Sequence, residues 1–413
     1  MKGIRYTFVE NDKFKTGMLG LFFAVPIQRE TAAVNALVPA VLRRGSMEYP
    51  TMKDISKKLE SLYGAKFDCG VSKKGEYQIL RFYGEVVNQQ FVQAEENPLI
   101  ELAKVIQSIV FHPLLENGIF KKEYVEQEKE NLKDLIESRK NDKVQYALER
   151  CYELMFDGEP MGLCEFGSVE EVDEISPEAL TAAYQRMVKD YQVDIVLSGK
   201  FEESEVKALQ EQFAFVDREK LNAEIHSLPA VNDVKTFTEQ FDINQGKLSL
   251  GYNVNIDINS DEYFQIMVYN GILGGGVQSK LFQNVREKYS LAYYAFSRFD
   301  KFQSTIGISC GIEIANYQKA LDTVLEQVKD ISEGKISDYE YETTIKTLVN
   351  SLKSMKDEQV QLLDFNYSQI LLGTSLKIDE IIEKIQKVTV EEVVNISKRV
   401  SLNTIYFMTS SQS

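Results

Sequence analysis

The sequence predicts an α+β protein made of two tandem homologous domains, each an antiparallel sheet with helices packed on one face. Three observations lead there. The chain repeats itself at long range, its shorter apolar runs alternate as one-sided strands do, and its charged stretches have helical periodicity. The repeat is clearest where residues 17–27 read GMLGLFFAVPI and residues 246–256 read GKLSLGYNVNI, eleven ungapped positions with similar apolar placement. Both are expected to be strands. An apolar helix follows each, at 32–42 and 261–273, and then a turn, Arg44-Gly45-Ser46 or Gly274-Gly275-Gly276.

The later elements repeat in the same order. Helices are expected at 52–63 and 279–289, and strands at 77–83 and 305–310. Each half closes with a capped helix and a strand: Ser176 opens a helix before a strand at 193–198, and Thr389 does so before a strand at 404–409. Residues 120–156 contain no helix-breaking glycine or proline, and Phe120, Tyr124, Leu132, Leu135 and Ala147 recur among charges, predicting one or two long amphipathic helices. Further charged helices are expected at 317–333 and 339–355. The weakly patterned stretch 217–235, with Pro229, reads as a linker between domains 1–216 and 236–413. A period above 200 residues is too long for a solenoid.

Composition narrows the function. The chain has 413 residues, 47 basic against 63 acidic, and a formal charge of -16, which opposes the counterion release that drives nucleic-acid binding. No run reaches the ~18 apolar residues of a membrane span. Residues 18–27 mimic a signal peptide, but Glu10 and Asp12 precede them, and a removable leader would have no copy in mid-chain. Cys69, Cys151, Cys164 and Cys310 lack zinc-ribbon or redox spacing and read as small apolar residues in a reducing, cytoplasmic setting.

Few residues suggest chemistry by themselves. Glu123, Glu126, Glu130, Asp134 and Glu137 share a helix face, which could hold a cation but reads first as a solvated face among Lys122, Lys129 and Lys133. His112 and His226 are the only histidines and lack partners at ligand spacing. The Gly274-Gly275-Gly276 cluster fits neither a Walker A loop nor a dinucleotide fingerprint, and reads as a helix-ending turn. Arg286 and Tyr293 are seven apart, a spacing that can bring guanidinium and phenol to one face or end of a helix; by residue type alone they read as an ion-pair former and a core tyrosine.

Residues 273–293, LGGGVQSKLFQNVREKYSLAY, strongly resemble the second-domain signature of the M16 zinc peptidases (pitrilysin/insulinase, mitochondrial processing peptidase-like). The stretch from Glu159-Pro-Met-Gly162 through Gly167-Ser-Val-Glu-Glu-Val172 is similar to that family more loosely, so the resemblance covers nearly the whole chain. It implies the tandem layout above. The family's zinc motif, His-x-x-Glu-His on the first domain's first helix, falls here on Ala36, Pro39 and Ala40. Both imidazoles and the general base are missing, and one remaining carboxylate (Glu128 or a near neighbour, by the resemblance) cannot hold catalytic zinc. The resemblance also implies that Arg286 and Tyr293 face a metal site and stabilise a developing oxyanion, with the glycine turn at 274–276 contacting substrate. The expected function is then a subunit without zinc of its own. It would pair with an M16 paralogue that carries zinc, or with itself, in the hydrolysis of unfolded or short peptides. An inactive structural or peptide-binding paralogue is the alternative.

Overall fold

The two glycine-led repeats fold into β2 and β9, the middle strands of two five-stranded sheets. The structure is a computed structural model and describes residues 4–213, 217, 218, 221, 228, 231 and 233–411. Most of the expected 217–235 linker, and His226 within it, lies outside the described residues.

The strands in chain order are β1 (Ile4–Glu10), β2 (Thr16–Pro26), β3 (Lys66–Lys74), β4 (Tyr77–Val87), the short β5 (Leu115–Glu116) and β6 (Ile119–Phe120), and β7 (Gln192–Gly199). They continue with β8 (Lys235–Phe241), β9 (Gly246–Val254), β10 (Ala292–Asp300), β11 (Thr305–Ile312) and β12 (Val400–Ser410). The first sheet runs β1-β7-β2-β4-β3 and the second β8-β12-β9-β11-β10. Position by position the two orders are the same. The β1·β7 and β8·β12 edge pairs are parallel and the remaining pairs antiparallel. The expected α+β architecture with a tandem repeat is what the chain adopts.

The helices of the first repeat are α1 (Arg29–Leu42), α2 (Met52–Ser61), α3 (Pro98–Phe111), α4 (Lys122–Ser138), α5 (Lys143–Met155), α6 (Val169–Asp173), α7 (Pro177–Asp190) and α8 (Glu203–Gln212). The second repeat has α9 (Glu262–Gly274), a π-helix at Leu281–Lys288, α10 (Tyr317–Ser332), α11 (Asp338–Met355), α12 (Gln359–Leu372), α13 (Ile378–Lys387) and α14 (Val390–Ser397). Caps explain several starts. Ser176 Oγ accepts the Ala179 amide at 3.2 Å, and Thr389 forms a full capping box with Glu392. The long 120–156 segment breaks at Asp142, whose carboxylate accepts the Val144 and Gln145 amides and starts α5 afresh.

The chain divides into two compact units that exchange one helix each. One comprises residues 1–137, 163–223 and 358–371; the other comprises 138–162, 224–357 and 372–413. A single cut in the linker therefore does not separate them: α5 belongs with the second sheet and most of α12 with the first.

In the first unit, Leu19, Leu21 and Phe23 of β2 face a core shared with α1, α3 and α7. The alternate residue Phe22 points the other way and stacks on Tyr367 of α12, ring centroids 4.1 Å apart. Gln359 Nε2 donates to the Thr16 carbonyl at 3.0 Å, and Arg5 binds Asp194 and the Ile370 carbonyl together. In the second unit, Ala147 and Cys151 of α5 pack with Tyr406 and Met408 of β12. Glycines make room for α5: a Cβ on Gly251 would sit 2.7 Å from Met155 Sδ, and one on Gly307 would sit 2.2 Å from Tyr152 Oη. So β2 is covered on both faces and reads as a near-continuous apolar run, whereas β9 alternates, with Leu248, Leu250, Tyr252 and Val254 on one face and Lys247, Ser249, Gly251 and Asn253 on the other.

Candidate functional site

The positions matched to the zinc motif lie on α1 of the first unit. This helix is apolar almost all round, so most of it is buried. Ala36 is 6% exposed, Pro39 is buried and Ala40 partly so. Pro39 has no amide to give the Asn35 carbonyl, yet the helix continues, and Arg43 N still reaches the Pro39 carbonyl at 3.2 Å. That carbonyl also accepts Cys69 Sγ–H at 3.2 Å, and burial pushes the Cys69 thiol up to about 12. Asn35 is fixed in a buried knot: it donates to Gln78 and accepts from Tyr191 Oη, both at 3.0 Å. None of these side chains offers an open ligand.

Glu128 of α4 is 5% exposed and committed. Its Oε1 accepts the Arg44 Nε–H, and its Oε2 accepts Asn131 Nδ2 at 3.1 Å. The Arg44 guanidinium also lies over the Tyr124 ring at 5.9 Å. A guanidinium thus supplies the positive charge at the buried acid of α4. The acidic row Glu123, Glu126, Glu130, Asp134 and Glu137 lies on the other, exposed face of α4, with Lys133 bridging Glu130 and Asp173 at 2.8 Å each. His112 caps α3 and is exposed. Among the described residues no group of three or more His, Cys, Asp or Glu could hold a metal ion. The residues present at the motif positions do not fit zinc.

The second candidate lies on one continuous stretch of the second unit. The glycine turn ends α9, with the Gly275 amide donating to Gly271 O at 3.2 Å. Its glycines serve close packing, since a Cβ on Gly274 would meet Ser297 N of β10 at 2.3 Å, and one on Gly276 would meet Gln278 Oε1 at 2.7 Å. Lys280, the cation nearest the turn in sequence, is buried against Glu340 at 2.9 Å. The next helix is wound as a π-helix, closed by Tyr289 N to Asn284 O at 3.1 Å. Ser290, with φ of 49°, turns the chain into β10.

Arg286 sits on this π-helix with 42% of its side chain exposed. Its guanidinium lies 4.6 Å from the Phe282 ring centroid, and Nε is 3.6 Å from Glu287 Oε1. Tyr293 is on β10, not on the helix, so the seven-residue spacing does not work through one helical face. In the β10·β11 ladder Ala292 pairs with Ile312 and Tyr294 with Gly311, which leaves Tyr293 as the extra residue of a bulge, 60% exposed. Bulges re-aim side chains, and π-turns concentrate at functional sites. No hydrogen bond among the described residues joins Arg286 to Tyr293. The Phe282 shelf, the π-winding and the bulge were not legible from residue types; only the run of Tyr293 and Tyr294 breaking strand alternation hinted at the last.

Fold and site together define a chain of two repeated α+β units whose described residues gather no metal-binding group. A family model described as the peptidase M16 inactive domain matches residues 174–348. The chain is 31% identical over 409 residues to the "probable inactive metalloprotease YmfF" of Bacillus subtilis (strain 168), covering 98% of this chain and 96% of that protein. It is 21% identical over 405 residues to the "uncharacterized zinc protease YmxG" of the same organism, covering 96% of this chain and 93% of that protein. A crystal structure of a conserved protein from Enterococcus faecalis V583 superposes with a TM-score of 0.93 at 34% identity, covering 100% of this chain and 97% of that one. The peptidase M16 inactive domain from Pseudomonas fluorescens, at 18% identity and a TM-score of 0.80, shares the fold over 99% of this chain and 96% of that one. This chain belongs to the peptidase M16 family, as a homologue of its inactive type.

Proposed function

We propose that this chain is the zinc-free subunit of a two-chain M16 peptidase, supplying Arg286 and Tyr293 to a partner's zinc site. The partner is an M16 paralogue that keeps the zinc motif, and the substrates are unfolded or short peptides. The observation that carries this reading is the exposure of both side chains, Arg286 at 42% on the π-helix and Tyr293 at 60% on the β10 bulge, although a core position would be the default for a structural tyrosine. A fixed cation and an O–H donor suit the oxygen where charge develops as a peptide carbonyl is attacked. At the glycine turn Gly275 is exposed and would let a peptide backbone approach closely, whereas Gly274 is buried against Ser297. The chain would need no cofactor of its own. A cytoplasmic setting agrees with four cysteines that are free thiols.

A scaffold or peptide-binding paralogue is the second reading, favoured by the packing of Arg286 on Phe282. One experiment separates them. The purified chain is expected to contain no stoichiometric zinc and to cleave no unstructured peptide, and then to co-elute one-to-one with a zinc-bearing M16 subunit of its organism and raise that subunit's activity. Failure to co-elute at micromolar concentrations leaves the scaffold reading in place.

A further inference from the structure

The second sheet carries a buried cation with no acid against it. Lys247, near the start of β9, is 7% exposed, yet no carboxylate among the described residues lies within ion-pair distance of it. Its ammonium donates to Gln245 Oε1 and lies 5.6 Å from the Tyr294 ring centroid. Removal from water with no compensating charge pulls its pKa down. Buried lysines are ordinarily paired, because an unpaired buried charge is costly. Here the partner is missing.

The surroundings are polar in the same one-sided way. In the register of the sheet Lys247 lies opposite Gly311, and Gly311 opposite Tyr294. One row further along the same face, Ser249 lies opposite Ser309. Gly311 lets the Tyr294 ring lie flat across the sheet, since a Cβ there would come within 2.3 Å of Tyr294 Cε1. The hydroxyls of Ser249, Ser309 and Tyr294 are buried and form no hydrogen bond with described residues, although Ser309 is close enough to oppose the upward pull of burial on the phenol. Asp142, the acid that acts on Tyr294, is already engaged by two backbone amides of α5. One ammonium, whose hydrogen-bond acceptor is the neutral Gln245 Oε1, and three O–H groups therefore share a sheet face with no carboxylate paired to them.

We propose that Lys247, Tyr294, Ser309 and Ser249 form a carboxylate-binding site that takes the free C-terminal carboxylate of a short peptide. Four donors and a net positive charge match an acceptor-only anion. Tyr294 adjoins Tyr293 in sequence, so a peptide held here would lie beside the bulge. That the carboxylate comes from a peptide rests on the function proposed above; the donor set does not.

The test uses the full chain alone, by titration calorimetry with acetyl-tetra-alanine as free acid, the same peptide as C-terminal amide, and acetate. The free acid is expected to bind, with amidation or Lys247→Met each lowering affinity about 10- to 100-fold, and Ser309→Ala lowering it less. Equal binding of acid and amide, or unchanged affinity in Lys247→Met, overturns the site. Acetate binding as tightly as the peptide overturns the peptide assignment. A second readout needs no ligand: Lys247→Met should raise Tm, because it removes an uncompensated buried charge, whereas a lowered Tm marks a structural lysine and overturns the proposal. No zinc-bearing partner is present in these assays, so their failure leaves the two-chain peptidase untouched, and the reverse holds as well.

Discussion

Glu128 and Arg286 are both charged residues on helices next to family-signature turns, and the fold treats them in opposite ways. Glu128 is sealed: nearly all of its surface is removed from water, and both carboxylate oxygens are used by Arg44 and Asn131. Arg286 is open, resting on a ring and lying near one acid that is itself half exposed. A buried ion pair is costly to half-delete, because the survivor stays charged in a medium that solvates it poorly. An exposed cation is cheap to delete and therefore free to be kept for chemistry. The first region builds the positions matched to the zinc motif into the core, and the second leaves Arg286 and Tyr293 open to water.

The largest expected effect breaks the sealed side. Arg44→Met leaves the Glu128 carboxylate unpaired and should cost about 3–5 kcal/mol of stability, read as a large fall in Tm or in denaturation midpoint. Arg44→Met combined with Glu128→Leu should recover most of it, since an apolar pair of similar volume avoids the burial of charge. If the single variant is as stable as the parent, Glu128 is not sealed and the contrast fails.

On the open side the effect should move from stability to rate. In a complex with a zinc-bearing partner, Arg286→Ala or Tyr293→Phe should lower kcat roughly 100- to 1,000-fold while Tm, assembly and the partner's zinc content stay unchanged. Phenylalanine keeps the ring and deletes only the hydroxyl. Tyr289→Phe, on an exposed ring four residues earlier, is the control and should retain full activity. Full activity in both Arg286→Ala and Tyr293→Phe would favour the scaffold reading.

The same contrast explains what could be read in advance. Burial writes itself into composition: β2 betrays itself by an apolar run, β9 by apolar–polar alternation, and the caps at Ser176 and Thr389 by their side-chain chemistry. The tandem repeat followed from those marks. The exchange of α5 and α12 did not, because an amphipathic helix specifies an apolar face and not which sheet receives it. Gly251 and Gly307 were the available trace, small residues facing Met155 and Tyr152, but a glycine in a strand equally marks a bulge or a tight bend. The site was less legible still. Ala36, Pro39 and Ala40 gain meaning only by resemblance, and Tyr293 owes its exposure to one inserted residue in a ladder, a register property at which only the adjacent Tyr293 and Tyr294 hint.

The smallest effect concerns a pair between the two extremes. Glu101 of α3 is mostly buried, but it accepts Lys58 Nζ and Lys104 Nζ at 2.6 Å each from side chains that reach into water. Burial alone would raise its pKa; the hydrogen bonds from Lys104 and Lys58 outweigh that and hold the carboxyl down at about 2. Its folded value lies below its unfolded value, so its stabilisation is complete above about pH 4.5 and is lost as pH falls through about 2. Water screens the lysine ends, so the pair is expected to contribute below about 1 kcal/mol. The Tm difference between the parent and Lys58→Met should therefore be small at pH 6 and shrink further toward pH 2. A difference that persists undiminished at pH 2 would assign Lys58 to packing rather than charge, and would place Glu101 with the sealed residues.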